Sequence, residues 1–127
     1  MDENLNKTFN SFKTGFTQED ADKVMANMGK IEQIMQNETL RKFLEDVKLY
    51  FQMLGDIFTG KYKKVPAGTV AAIVGTLLYV LSPIDLLPDF LPGGFVDDAG
   101  IIGLCLTFTK YDVEQYKNFK ENNDEEN

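Results

Sequence analysis

The sequence contains no histidine and no tryptophan, and Cys105 is the single cysteine among its 127 residues. Without histidine there is no Ser-His or Cys-His catalytic pair, no imidazole metal ligand and no side chain that ordinarily titrates near neutral pH. A single cysteine excludes an internal disulfide and a multi-cysteine zinc site. Cys105 lies between Leu104 and Leu106, a setting in which cysteine usually behaves as a small buried apolar residue. The sequence therefore predicts no nucleophile at this position.

Positive charge is also scarce, because 13 Lys and Arg residues face 20 Asp and Glu residues, for a net charge of -7. Nucleic-acid-binding proteins carry clustered cationic surface, so we expect no nucleic-acid partner. The charge is unevenly distributed along the chain: residues 1–64 hold ten basic and ten acidic side chains. Residues 65–109 hold four aspartates and no Lys or Arg, and residues 110–127 hold three lysines and six acids.

The length suits one domain, and three segments are predicted within it. Residues 1–16 form a weak amphipathic segment, residues 17–120 a single helical domain, and residues 121–127 a disordered acidic tail. The apolar stripe of the first segment consists of Leu5, Phe9, Phe12 and Phe16. No basic region followed by an apolar run and a cleavage site opens the chain, which favours a cytoplasmic location.

Apolar spacing predicts an all-α fold, a small bundle of four to five helices with a central apolar helical hairpin. The first helix spans about residues 18–36 and is capped by Thr17 with Asp20 three positions later. The second spans about residues 38–58, with Asn37 as its cap and Gly60 as its terminator. Residues 65–84 contain no charged side chain. They form the first arm of the predicted hairpin, with Pro66 near its start. The second arm begins near residue 95 and runs to residue 109, or continues to residue 119.

A motif lies where the two arms meet: Ser82-Pro83-Ile84-Asp85, then Pro88-Asp89, Pro92 and Asp97-Asp98. Together with the preceding Tyr79-Val80-Leu81, this run closely resembles the signature of the domain of unknown function 1232 family, also called YkvA-like. The resemblance covers about residues 62–106 and leaves the first 60 residues outside it. It implies a small helical hairpin that is often membrane-associated, and it implies no established activity.

Two interpretations remain open for Asp85, Asp89, Asp97 and Asp98. As capping and turn residues, they would accept hydrogen bonds from backbone N–H groups and favour helix N-termini. As a metal site, they would offer the oxygen ligands that Mg²⁺ or Ca²⁺ prefers. No catalytic residue and no other cofactor is predicted.

The hairpin of residues 65–109 could lie in a membrane or form the core of a helical bundle. Lys61, Lys63 and Lys64 precede it and Lys110 follows it, as expected if both ends stay on the cytoplasmic side. The second uncharged run, residues 99–109, would reach only about 16 Å as a helix, short of the roughly 30 Å of a bilayer core. A shallow hairpin at the membrane interface survives this objection, as does a bundle core covered by amphipathic helices.

The sequence therefore predicts a non-enzymatic helical scaffold or interaction module associated with the cytoplasmic membrane, with a membrane lipid or a helical protein as partner. The alternative is a helical domain that has a carboxylate-based divalent-metal site and a metal-dependent activity.

Overall fold

The computed structural model describes residues 17–81 and 98–126, and within the last helix the side chains of residues 99–122. The described part consists of helices and their connections, without a β-strand, which confirms the all-α prediction. The helices are α1 (Gln18–Ala26), α2 (Met28–Ile34), α3 (Leu44–Phe58), α4 (Ala67–Leu81) and α5 (Asp98–Glu126), and a 3₁₀ turn (Arg41–Phe43) precedes α3. The predicted stripe of residues 5–16 lies outside the described residues.

Helix α1 begins with a reciprocal pair of hydrogen bonds between Thr17 and Asp20. The Asp20 backbone N–H donates to the Thr17 hydroxyl at 3.1 Å, and the Thr17 N–H donates to the Asp20 carboxylate at 3.1 Å. Each bond satisfies a donor that the first turn of a helix leaves without a partner, so the predicted cap at Thr17 is confirmed.

The prediction of one continuous helix over residues 18–36 is wrong, because Asn27 separates α1 from α2. The Asn27 side-chain amide donates to the Lys23 carbonyl at 2.8 Å, and its backbone adopts φ −109° and ψ 22°. A side chain that bonds a local carbonyl competes with the regular ladder of helix hydrogen bonds. The apolar face survives this interruption, since Val24, Ile31 and Met35 are all fully buried.

The second predicted helix also begins later than its cap suggests. The Asn37 side-chain oxygen accepts the Leu40 N–H at 2.9 Å, but this bond closes a turn, and the α-helix itself starts at Leu44. At the other end Gly60 has φ +84°, a left-handed conformation that favours glycine, so the predicted terminator is confirmed. Beyond it, the Tyr62 N–H returns to the Asp56 carbonyl at 3.0 Å.

Helix α4 is the centre of the core. Every residue from 72 to 80 is buried, and α4 contacts α1, α2 and α5. The amphipathic helices α1 and α2 and the first half of α5 therefore cover an apolar helix that no single neighbour could cover. Among the described residues, no helix combines the length and the apolar character needed to cross a bilayer.

Helix α5 is longer than the sequence pattern indicates. Its 29 residues extend to Glu126 and include residues 121–126, for which the composition favours disorder. Tyr116 is fully buried and Phe119 half-buried, so packing continues well beyond Thr109. Adding residues to an existing helix requires no new nucleation, which allows a polar end to continue the ladder.

Candidate functional site

Most of the predicted aspartate motif falls outside the part of the chain that the structure describes. This applies to Ser82, Pro83, Asp85, Pro88, Asp89, Pro92 and Asp97. The backbone of Asp98 is described, and it lies in α5 at the edge of the described range. Among the described side chains, those of residues 17–81 and 99–122, no group of three carboxylates or thiols is placed to hold one metal ion. The choice between capping and Mg²⁺ or Ca²⁺ binding stays a prediction.

A buried polar cluster joins α3, α4 and α5 in the core. The Tyr50 hydroxyl oxygen lies 2.7 Å from the Thr109 hydroxyl oxygen, and Thr109 in turn donates to the Cys105 carbonyl at 2.8 Å. The Cys105 thiol points at the Ala72 carbonyl of α4, with the sulfur 3.7 Å from the oxygen. Burial raises the pKa of the Cys105 thiol to about 11 and raises the pKa of Tyr50 above its ordinary value. These groups are therefore neutral at physiological pH, as predicted for an inert cysteine.

An open groove lies at the surface between the loop after α3 and the second half of α5. It has a cavity volume of about 560 Å³. Its loop side carries Lys61, Lys63 and Lys64, and its helix side is formed mainly by Tyr111, Gln115, Asn118 and Phe119. The lining residues, all within the described part of the chain, include no carboxylate. We call this feature the lysine groove.

The loop side of the lysine groove is held in place by the buried ring of Tyr62. That ring packs against Tyr116 at 5.2 Å and against Phe119 at 4.8 Å, measured between ring centroids. The Tyr116 hydroxyl donates to the Asp56 carboxylate at 2.5 Å, which fastens α5 to the end of α3. Burial raises the pKa of Tyr116, so the hydroxyl stays protonated and keeps donating at physiological pH. The packing of the buried Tyr62 ring therefore anchors the backbone of the loop from which the exposed lysine side chains extend.

A second surface groove provides a contrast. It has a cavity volume of about 330 Å³ and lies between α3 and α5. Lys110 and Lys117 line it together with Asp46 and Glu114, so its charges are mixed in sign. The lysine groove thus differs from this second groove in having lysines but no carboxylates among its described lining residues.

Sequence reasoning found the three lysines but missed the helix side of the groove. Tyr111, Gln115, Asn118 and Asn122 recur at helical spacing on α5 and all line it. That spacing is visible in the sequence. It carries no meaning until the loop of residues 60–64 is known to lie against it, because the residues lie some fifty positions apart along the chain.

The model of the family described as "Protein of unknown function (DUF1232)" matches residues 69–104. A Bacillus subtilis (strain 168) protein named "Uncharacterized membrane protein YkvA" is 32% identical over 88 residues, which cover 68% of this chain and 83% of that protein. The chain belongs to the DUF1232 family. No solved structure matches it.

The family match corresponds to α4 and the first turns of α5, the two arms of the predicted hairpin. The alignment with the Bacillus relative reaches further. Because 68% of the chain is more than the part that follows residue 60, the resemblance extends into the first 60 residues. The family match lies inside the expected range of about residues 62–106, whereas the alignment with the Bacillus relative also includes part of the first 60 residues.

Proposed function

We propose that this DUF1232 protein is a non-enzymatic helical module that binds peripherally to the cytoplasmic face of a membrane. Peripheral binding is supported over insertion because residues 72–80 of α4 are buried among helices of the same chain. An apolar helix that is already covered gains little from a bilayer. Contact with a membrane would instead use the protein surface, where charge and amphipathic side chains attract lipid.

Two observations support the membrane as the site of action. The Bacillus relative is named as a membrane protein. The lysine groove gathers three exposed cationic side chains on the protein surface just before α4. Anionic lipids of the cytoplasmic leaflet attract such clusters.

The non-enzymatic part of the proposal is supported by the residues available for chemistry. The sequence offers no histidine as a general base. Its cysteine is buried and its thiol is held protonated, whereas the nucleophilic form of cysteine is the thiolate.

Fractionation of bacterial cells that express the untagged chain tests this proposal. We expect the protein in the membrane pellet at low ionic strength and in the supernatant after a carbonate wash, without detergent. An integral protein with spanning helices, which should stay in the washed pellet, is the control. Recovery of this chain in the carbonate-washed pellet would contradict peripheral binding, and recovery in the low-salt supernatant would contradict membrane association.

A further inference from the structure

We propose that the lysine groove is the contact site for anionic phospholipid headgroups, an inference that rests on the proposed peripheral membrane association. The occupant is the phosphate-bearing surface of an anionic bilayer. Lys61, Lys63 and Lys64 supply the electrostatic attraction, and exposed aromatic side chains beside them supply contact with the interfacial region.

The positive charge of the groove is available to a ligand. Lys61, Lys63 and Lys64 are exposed, and none of them forms an ion pair with a carboxylate of the described residues. Two carboxylates on the elements that flank the groove, Asp56 and Asp112, keep their negative charge but do not line it. Asp56 accepts from Tyr116 at 2.5 Å, and Asp112 accepts from Thr69 at 2.6 Å. The described lining of the groove is therefore cationic on a chain whose net charge is -7.

The geometry of the loop limits the entropy that the lysines must lose on binding. Tyr62 is 4% exposed and packs on Tyr116 and Phe119, so the backbone between Lys61 and Lys63 is anchored. Gly60 sets the chain direction at the start of this loop with its positive φ. The three ammonium groups thus extend from a fixed edge instead of a flexible linker, which reduces the cost of ordering them on a surface.

Aromatic exposure at the same end of α5 distinguishes a lipid surface from a free anion. Tyr111 lines the groove and is 70% exposed, and Phe108 one helical turn earlier is 42% exposed. Tyrosine is enriched at membrane–water interfaces, because its ring contacts the acyl boundary while its hydroxyl stays hydrated. A soluble phosphate ion would gain nothing from these rings, whereas a headgroup layer contacts both the lysines and the aromatic side chains.

Vesicle co-sedimentation with the full-length purified chain tests the proposal. The probes are phosphatidylcholine vesicles with and without phosphatidylglycerol, at low and at high salt. We expect binding to the vesicles that contain phosphatidylglycerol, weak binding to phosphatidylcholine alone, and a loss of binding at high salt. Each lysine near an anionic surface contributes about fivefold in affinity, so replacing all three by glutamine should weaken binding on the order of 100-fold.

A variant with the same change in net charge provides the matched control. Lys30→Gln, Lys110→Gln and Lys117→Gln together remove three exposed lysines that lie outside the lysine groove. We expect this control to weaken vesicle binding by only a few fold, since it alters the overall charge and leaves the groove intact. As a single substitution, Tyr111→Ser should weaken vesicle binding relative to the wild type without changing the dependence of binding on salt. Circular dichroism spectra that match the wild type should confirm that each variant is folded.

Four outcomes would overturn the proposal. These are equal loss in the two triple variants, equal binding to both kinds of vesicle, no vesicle binding by the wild type, and displacement by inorganic phosphate beyond that caused by chloride at equal ionic strength. The last would assign the groove to a free anion. If the purified chain does not bind vesicles but still sediments with cell membranes, the result would assign the partner to an acidic membrane protein. In that case peripheral association stands while lipid binding fails, so the two proposals fail separately.

Discussion

The hydroxyl groups of Tyr50 and Thr109 meet at 2.7 Å in the interior of the protein and link α3 to α5 across 59 positions of sequence. Thr109 gives its proton to the Cys105 carbonyl, so Tyr50 must be the donor in the bond between the two hydroxyls. This hydrogen bond joins α5, which forms the helix side of the lysine groove, to α3, which precedes the loop side. Substitutions that remove one hydroxyl at a time can therefore test how much this buried hydrogen bond contributes to stability.

Replacing Thr109 by valine should destabilise the protein more than replacing Tyr50 by phenylalanine. Thr109→Val leaves the Tyr50 hydroxyl buried without its acceptor, which costs about 1–3 kcal/mol, whereas Tyr50→Phe removes the donor at a cost of about 1 kcal/mol. The double variant should lose less than the sum of the single variants. Urea denaturation followed by circular dichroism measures all three, and strictly additive losses would show that the two hydroxyls do not interact.

Two threonines on α4 should respond in opposite directions to the same substitution. The Thr76 hydroxyl is buried, has no nitrogen or oxygen partner among the described residues and interacts with the Cys105 thiol, a weak acceptor, whereas the Thr69 hydroxyl donates to Asp112 at 2.6 Å. Thr76→Val should therefore raise the free energy of unfolding by about 1 kcal/mol, because it removes a buried polar group that gains only a weak interaction in return. Thr69→Val should lower it by about 1–2 kcal/mol. A loss of stability in Thr76→Val would indicate an unrecognised hydrogen bond at that hydroxyl.

Stability should fall as the pH rises above 9. In the unfolded chain Cys105 titrates near pH 9, whereas burial raises its native pKa to about 11. Between these values the unfolded state binds fewer protons than the native state, so the free energy of unfolding decreases with pH by about 2–3 kcal/mol in total. Above pH 10 the loss steepens, because the pKa of Tyr50 is also raised by burial from an ordinary value of 10.0.

Urea denaturation at pH 8, 9 and 10 measures this dependence. Cys105→Ala is the control, since it removes the thiol and should flatten the slope between pH 9 and pH 10 while lowering stability at every pH through the cavity that it leaves. The same slope in the wild type and in Cys105→Ala would exclude the thiol as its source.

The capping interpretation of the aspartate motif predicts that Mg²⁺ and Ca²⁺ do not change Tm. Asp97 and Asp98 are predicted from the sequence to lie in the first turn of a helix, where a carboxylate interacts favourably with the helix dipole. Asp97→Asn with Asp98→Asn should lower stability by roughly 0.3–1 kcal/mol per residue, to the same extent with and without metal. A rise in Tm at millimolar metal that the double variant abolishes would instead favour a cation site.

How far the sequence predicts this structure depends on the range of the interactions involved. The Thr17 cap, the Gly60 terminator and the buried face of Val24, Ile31 and Met35 follow from patterns a few residues long, and all are confirmed. The break at Asn27 is also local, but it depends on whether the amide bonds Lys23 or water, which the sequence pattern does not decide.

The candidate site was less predictable because its two sides are distant in sequence. The lysines stand out from composition alone, yet Tyr111 becomes part of a groove only through the packing of Tyr62 on Tyr116 and Phe119. Likewise, the choice between a membrane hairpin and a bundle core requires knowing which surfaces cover α4. Its apolar composition suits both solvents, and only its contacts with α1, α2 and α5 favour a core.

The central claim, that α4 is buried within its own bundle when no lipid is present, is tested most directly by amide hydrogen exchange. The measurement follows residues 72–80 in the purified chain without detergent, and again after anionic vesicles are added. We predict slow exchange, close to the limit set by global unfolding, that vesicles leave unchanged. Fast exchange without lipid that becomes slow only on vesicles would contradict the account, because α4 would then find its cover in the membrane.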